Sequence, residues 1–335
     1  MSSEGKIAVV TGAAGFIGSH LVDALLAKEL EVIGYDLTPL ERARNLDGAK
    51  TNPRFKYVVG DIRDKAKLES AIPENVSYIY HLASVVGISK YIDDPFGLID
   101  ITIGGTRNVA EIALALSPKN PSLRVVYTST SEVFGKNPKI PWSEDDDRVV
   151  GSTKIDRWCY SSSKAVCEHI LFALHRQKGL PMTIVRYFNA YGPRQNPIFV
   201  ISQSVRRVLQ GERPLLYDGG TATRCFTYVE DAVRGTIMAA ENPKAIGEAF
   251  NIGNNREITT REAVELIIKY SGKDLTWENL DTTQHYGKTY EDIPRRVPSN
   301  DKAREILGWT VQVSHEEGIR RTVEWAKQNE WWVRG

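Results

Sequence analysis

Ile7-Ala-Val-Val-Thr11, Gly12-Ala-Ala-Gly15-Phe16-Ile17-Gly18 and Ser19-His-Leu-Val-Asp-Ala-Leu-Leu-Ala-Lys28 follow one another without a break, and their reading decides the fold. The first run is short and apolar, which predicts a strand; the last predicts a helix, so the glycines stand at a strand-to-helix turn. Glycine lets such a turn close and lets backbone approach a pyrophosphate, while the helix N-terminus offers free N–H groups and a positive dipole end. The spacing is Gly-x-x-Gly-x-x-Gly rather than the commoner Gly-x-Gly-x-x-Gly. Gly12, Gly15, Phe16, Ile17 and Gly18 are therefore candidate dinucleotide contacts.

Working outward, Glu31-Val-Ile-Gly-Tyr35 predicts a second strand that ends at Asp36, 18 residues beyond Gly18. A carboxylate there can accept from both ribose hydroxyls and repels a 2′-phosphate, which favours NAD over NADP; the other reading is a capping Asp. Phe55–Gly60 predicts a third strand, followed by Asp61 and Ile62 as adenine-edge candidates. Val76–Ala83 predicts a fourth, with Leu82 and Ala83 at its end, and His81 reads as a satisfied core histidine. Strands alternating with helical patterns predict an α/β fold, a Rossmann-type doubly wound parallel sheet.

Leu123-Arg-Val-Val-Tyr127 is a further strand, opening into Thr128-Ser-Thr130-Ser131-Glu132 where such a sheet exposes its binding crevice. Tyr160 and Lys164 are four apart, so on a helix they share a face and can act together. A tyrosine base at neutral pH needs its pKa lowered by about three units, roughly 4 kcal/mol. Tyr-x-x-x-Lys also arises by chance on surface helices; the glycine fingerprint and the Thr-Ser-Glu cluster give it weight here.

Beyond Met182–Arg186, another strand, the pattern becomes irregular, with short helices at roughly 198–211 and 260–271. Yet the helix Ala232–Glu241 and the strand-like Ala249–Gly253 belong with the sheet. The expected division is a dinucleotide-binding domain over 1–187 plus about 225–254, and a smaller interleaved C-terminal substrate lobe over about 188–224 and 255–335. Glu144-Asp-Asp-Asp147 reads as a solvated loop, and Trp325, Trp331 and Trp332 as packing residues.

Bulk composition excludes several classes. Forty-three Lys and Arg against 42 Asp and Glu give a net charge of +1 over 335 residues, so nucleic acid is not an expected partner. Cys159, Cys167 and Cys225 lack metal-ligand spacing and form no disulfide framework, so no metal is expected and a reducing, cytoplasmic location is. No stretch approaches the ~20 apolar residues of a membrane span, and no signal-peptide core is present.

The set Gly12-x-x-Gly15-x-x-Gly18, Asp36, Asp61-Ile62, His81-Leu-Ala, Tyr160-x-x-x-Lys164, Phe188-Asn189, Tyr191-Gly-Pro-Arg194 and Arg224-x-Phe-x-x-Val-x-Asp231 resembles the extended short-chain dehydrogenase/reductases across nearly the whole chain. Within them it resembles the NAD-dependent nucleotide-sugar epimerases, dehydratases and decarboxylases. Thr130-Ser131-Glu132-Val-Phe-Gly is similar to the Thr-Ser-Glu-Val-Tyr-Gly of UDP-glucuronate decarboxylases, and Tyr286–Pro298 to their catalytic-arginine segment. Val150–Tyr160, and Tyr91 ahead of Asp94-Pro95, strengthen that likeness. Without it, Arg295 and Arg296 read as two surface charges.

The resemblance implies bound NAD, a UDP-sugar substrate contacted by Tyr91, Asn189, Arg194, Arg224 and Tyr290, and a homodimer through helices at about 95–116 and 158–177. Tyr160 would take the C4 hydroxyl proton, Thr130 would position that hydroxyl, and Lys164 would hold Tyr160 and the nicotinamide ribose. Glu132 and Arg296 would handle the carboxylate and reprotonate C5, with a water relayed by Glu132 as an equal alternative. A 4,6-dehydratase would use Glu132 but has less need for Arg296, and a 4-epimerase needs no Glu132. A non-catalytic NAD sensor would not need Tyr160 and Lys164.

Overall fold

The computed structural model describes residues 5–87, 91, 93–281, 291, 293 and 295–335. Seven strands make the central sheet: β1 (Ile7–Thr11), β2 (Glu31–Asp36), β3 (Phe55–Val59), β4 (Tyr78–His81), β5 (Arg124–Thr130), β6 (Met182–Tyr187) and β7 (Ala249–Ile252). Their order is β7-β6-β5-β4-β1-β2-β3, and every pairing is parallel. The order reverses between β1 and β4, which opens a crevice at the carboxyl ends of those strands.

Period-two alternation places successive residues on opposite faces. Val10, Tyr80, Val126 and Phe250 pack in one core with α1 (Phe16–Ala27) and α6 (Val229–Glu241). Val9, Ile79 and Val125 face the other, against α3 (Pro95–Leu116) and α4 (Arg157–Lys178), with α2 (Lys65–Ala71) adding Leu68. Asp94 starts α3 by accepting from the Gly97 N–H, with Pro95 in the first turn, and Gly179 ends α4 in the left-handed region at φ 70°.

The smaller lobe is built from α5 (Val200–Leu209), α7 (Thr260–Ser271), α8 (His315–Gln328) and the short α9 (Glu330–Arg334). Two strand pairs tie its segments together: Thr223–Arg224 with Ile258–Thr259, and Leu215–Tyr217 with Glu278–Leu280. Because α6 and β7 return to the sheet between those segments, the two parts share one continuous chain path rather than a single linker.

The acidic run is solvated at Asp145 and Asp147 but not at Glu144 or fully at Asp146. Glu144 is buried, and its carboxylate accepts from the Asn251 N–H at 2.8 Å; Asp146 accepts from the Ser143 N–H at 2.7 Å. β7 is an edge strand, so its outward N–H groups need an acceptor, and Glu144 supplies one. Burial raises the Glu144 pKa.

Candidate active site

A groove of about 800 Å³ runs along the crevice, from Gly12–Gly18 and Asp36 past Leu82, Ala83 and Thr128–Glu132 to Asn189, Arg194 and Arg296. Its dinucleotide end is fixed by close backbone packing. A Cβ on Gly18 would lie 2.0 Å from the Gly12 carbonyl oxygen, and one on Gly12, at φ +75°, would lie 2.8 Å from Ala83 N. Only glycine fits both places, which leaves the α1 N-terminus open toward the groove.

Asp36 accepts from the Ala14 N–H at 3.0 Å and the Thr38 N–H at 2.9 Å, so it shapes the turn as a cap does while its carboxylate still lines the groove. Ile62 lines the groove beside Asp61, whose carboxylate is gripped by Arg63 at 2.6 Å. His81 lies beneath, with Thr11 Oγ1 2.8 Å from Nδ1 and Thr106 Oγ1 3.1 Å from Nε2. Burial lowers its pKa to about 3, so it is a neutral core histidine.

At the other end β5 delivers Thr130, the helical turn after it (Ser131–Phe134) delivers Ser131 and Glu132, and α4 delivers Tyr160 and Lys164. Thr130 accepts from the Glu132 N–H at 3.2 Å, and its hydroxyl acts to lower the Tyr160 pKa. Tyr91 stacks on Tyr160, centroids 4.9 Å apart and planes 9° off parallel, so it steadies that ring besides lining the groove. Burial and the Glu132 carboxylate raise the Tyr160 pKa. Thr130 acts in the opposite direction, and a cationic nicotinamide beside Lys164 would add the charge that a tyrosine base needs. Lys164 donates to Thr128 O at 2.9 Å, and burial brings its pKa down to about 8.

Glu132 is nearly buried and held by two arginines. Arg157 donates to both its oxygens, at 3.1 and 2.7 Å, and Arg296 donates to Oε1 at 2.8 Å. Arg296 is thereby brought into the groove, while its neighbour Arg295 pairs with Glu257 on the surface. Arg157 was not among the residues singled out from sequence. The signal available was its position three residues before Tyr160, which puts both on one side of α4.

The chain matches the family described as GDP-mannose 4,6 dehydratase over residues 9–322. It belongs to that family. It is 34% identical to a UDP-N-acetyl-alpha-D-glucosaminuronate decarboxylase of Bacillus cytotoxicus, over 97% of this chain and 99% of that one. It is 35% identical to UDP-glucuronic acid decarboxylase 6 of Arabidopsis thaliana, over 93% and 86%. A Bacillus cereus UDP-glucuronic acid 4-epimerase, solved with UDP-glucuronic acid and NAD, matches with a TM-score of 0.83 and 30% identity, over 96% of this chain and 99% of its own. As a member of this NAD-dependent epimerase/dehydratase family, the chain is an NAD-dependent enzyme that modifies a nucleotide sugar.

The remaining candidates divide. Asn189 lines the groove, and its side-chain oxygen is buried with no hydrogen-bond partner among the described residues, which suits a ligand donor. Arg194 also lines it, but its guanidinium is tied to Asp23 of α1 at 2.6 Å, on the dinucleotide side. Arg224 does not line the groove; it is buried on its short strand and donates to Thr223 O at 2.8 Å. Tyr290 lies outside the described residues. Among the described residues no helix is long and apolar enough to cross a membrane.

Proposed function

We propose that the protein is a UDP-glucuronate decarboxylase, acting by C4 oxidation and loss of CO2 to give a UDP-4-keto-pentose or UDP-xylose. The observation that carries this reading is Arg296 meeting Glu132 in the groove, within the same cluster as Thr130 and Tyr160. A 4-epimerase needs no Glu132, since it loses no carboxylate and leaves C5 untouched.

Bound NAD+ supplies the hydride acceptor for C4 and a positive charge near the phenol. Tyr160 takes the C4 hydroxyl proton, and Thr130, lining the same part of the groove, orients the hydroxyl. The resulting ketone is β to the C6 carboxylate, so the C5–C6 bond breaks, CO2 leaves and its electron pair forms the C4–C5 enolate. Arginine suits the carboxylate because its planar fork donates parallel bonds. C5 is reprotonated from the Glu132–Arg296 corner, with Glu132 relaying through water the better fit, since a guanidinium is a weak acid.

The reading extends to a cytoplasmic homodimer: Phe96 and Ile99 on α3 and Val166 on α4 are exposed apolar residues on the helices expected to pair. Light scattering at micromolar concentration should show the dimer; monomer alone would remove it.

The test of the reaction is incubation with NAD+ and UDP-glucuronate, and in parallel its 2-acetamido analogue, the substrate named for the Bacillus cytotoxicus relative. NMR should identify a UDP-pentose or its 4-ketone with CO2 released. UDP-galacturonate without CO2 would replace this reading with the 4-epimerase.

A further inference from the structure

The C-terminal helix α9 belongs to the smaller lobe but ends at the dinucleotide end of the groove. Trp332 is buried and donates its indole N–H to Gln195 O at 2.9 Å. Val333 O accepts from Arg206 Nε at 3.0 Å and Gln210 Nε2 at 2.8 Å, which pins α9 to α5. Trp325 of α8 stands edge-on to both Trp331 and Trp332, with centroids 6.1 and 5.6 Å away. So the tryptophans do pack, as their apolar character implies, and two of them also wall the groove.

Trp331 makes the contact that matters. The Arg44 guanidinium lies 4.7 Å from its ring centroid. Arg44 and Asn45 sit in a short turn after β2, the strand that carries Asp36, and Asn45 donates to Ala14 O of the glycine turn at 3.0 Å. Trp331, Trp332, Ala14, Gly15, Asp36 and Asn45 line one end of the groove. A cation over an indole face therefore joins the two lobes across the place where the dinucleotide turn is built.

We propose that Trp331 and Arg44 form a latch over the dinucleotide end of the groove and set how long NAD stays bound. This rests on the family's use of NAD and not on the decarboxylase reading. Leaving that end requires Arg44 to part from Trp331, so the contact adds to the barrier for release. A dinucleotide retained through turnover can return the hydride it took to the same sugar.

The experiment measures NADH release without any sugar nucleotide. Enzyme loaded with NADH is mixed with excess NAD+, and the loss of directly excited NADH fluorescence is followed. Trp331→Ala should release NADH on the order of tenfold faster, the worth of one such lobe-to-lobe contact with its ring. Trp331→Phe should stay within about twofold of the unchanged protein, since a ring face remains. Arg44→Ala should be intermediate, and the double variant no faster than Trp331→Ala, since the two share one contact. Release from Trp331→Ala at the wild-type rate would overturn the latch. Should Trp331→Ala unfold, Arg44→Ala decides, because Arg44 is exposed; unchanged release there overturns it equally.

Discussion

Two glutamates beside β5 are gripped by arginines, and the contrast between them separates scaffold from tool. Glu168, on α4, has both oxygens taken by Arg186 of β6 at 3.0 and 2.6 Å, with Ser129 donating at 2.5 Å. Arg186 also donates to Glu144 O at 2.6 Å, so every partner comes from the sheet layers or the segment that covers their edge. Glu132 has the same chemistry and similar burial, with side chains 7% and 11% exposed for Glu168 and Glu132. One of its arginines, however, comes from 164 residues away, and the cluster lines the groove where Glu168 does not. A carboxylate–arginine pair closed on all sides stabilises; one open to a ligand can act on it.

The comparison breaks first at Arg186. Arg186→Leu leaves Glu168 buried without its cation and should cost about 3–5 kcal/mol of stability. Urea unfolding measures it, and the double variant Glu168→Gln with Arg186→Leu should recover part of the loss. A cost below about 1 kcal/mol would mean that Glu168 is no scaffold element.

Arg157 sharpens the contrast with a smaller effect that is chiefly kinetic. Arg157→Met should slow CO2 release by on the order of 10², about 2.7 kcal/mol, since Glu132 keeps Arg296 but loses its bidentate partner. Arg157→Lys should recover only part of this, because an ammonium cannot reproduce the fork. Unfolding midpoints close to the parent, with slowed chemistry, identify a positioning residue; slowed chemistry that tracks lost stability would make it structural.

Local patterns carried most of the architecture. The strand-turn-helix of Ile7–Lys28, Asp36 at a strand end and the Thr130-Ser131-Glu132 run are read from neighbours in sequence, and the chain folds them as neighbours in space. Glu144 was misread because three following aspartates resemble a solvated run, while its use depends on β7 being an edge strand, a property of topology. Arg157 could have been found from its spacing to Tyr160, but its target, Glu132, lies 25 residues back across a strand-to-helix connection. Trp331 facing Arg44 has no local signature at all, because it depends on how the chain's last turn folds across both lobes. The rise that burial and the Glu132 charge impose on the Tyr160 pKa has no local signature either, because both are consequences of packing.

Arg296 tests the central claim most directly, because it joins the lobes at the Glu132 carboxylate. With UDP-glucuronate and NAD+, C4 oxidation and CO2 release are measured together in Arg296→Met and in the parent enzyme. The account predicts CO2 release lowered by on the order of 10²–10⁴, the usual worth of a positioned acid–base group, with C4 oxidation lowered less. CO2 released by Arg296→Met at the parent rate would contradict it.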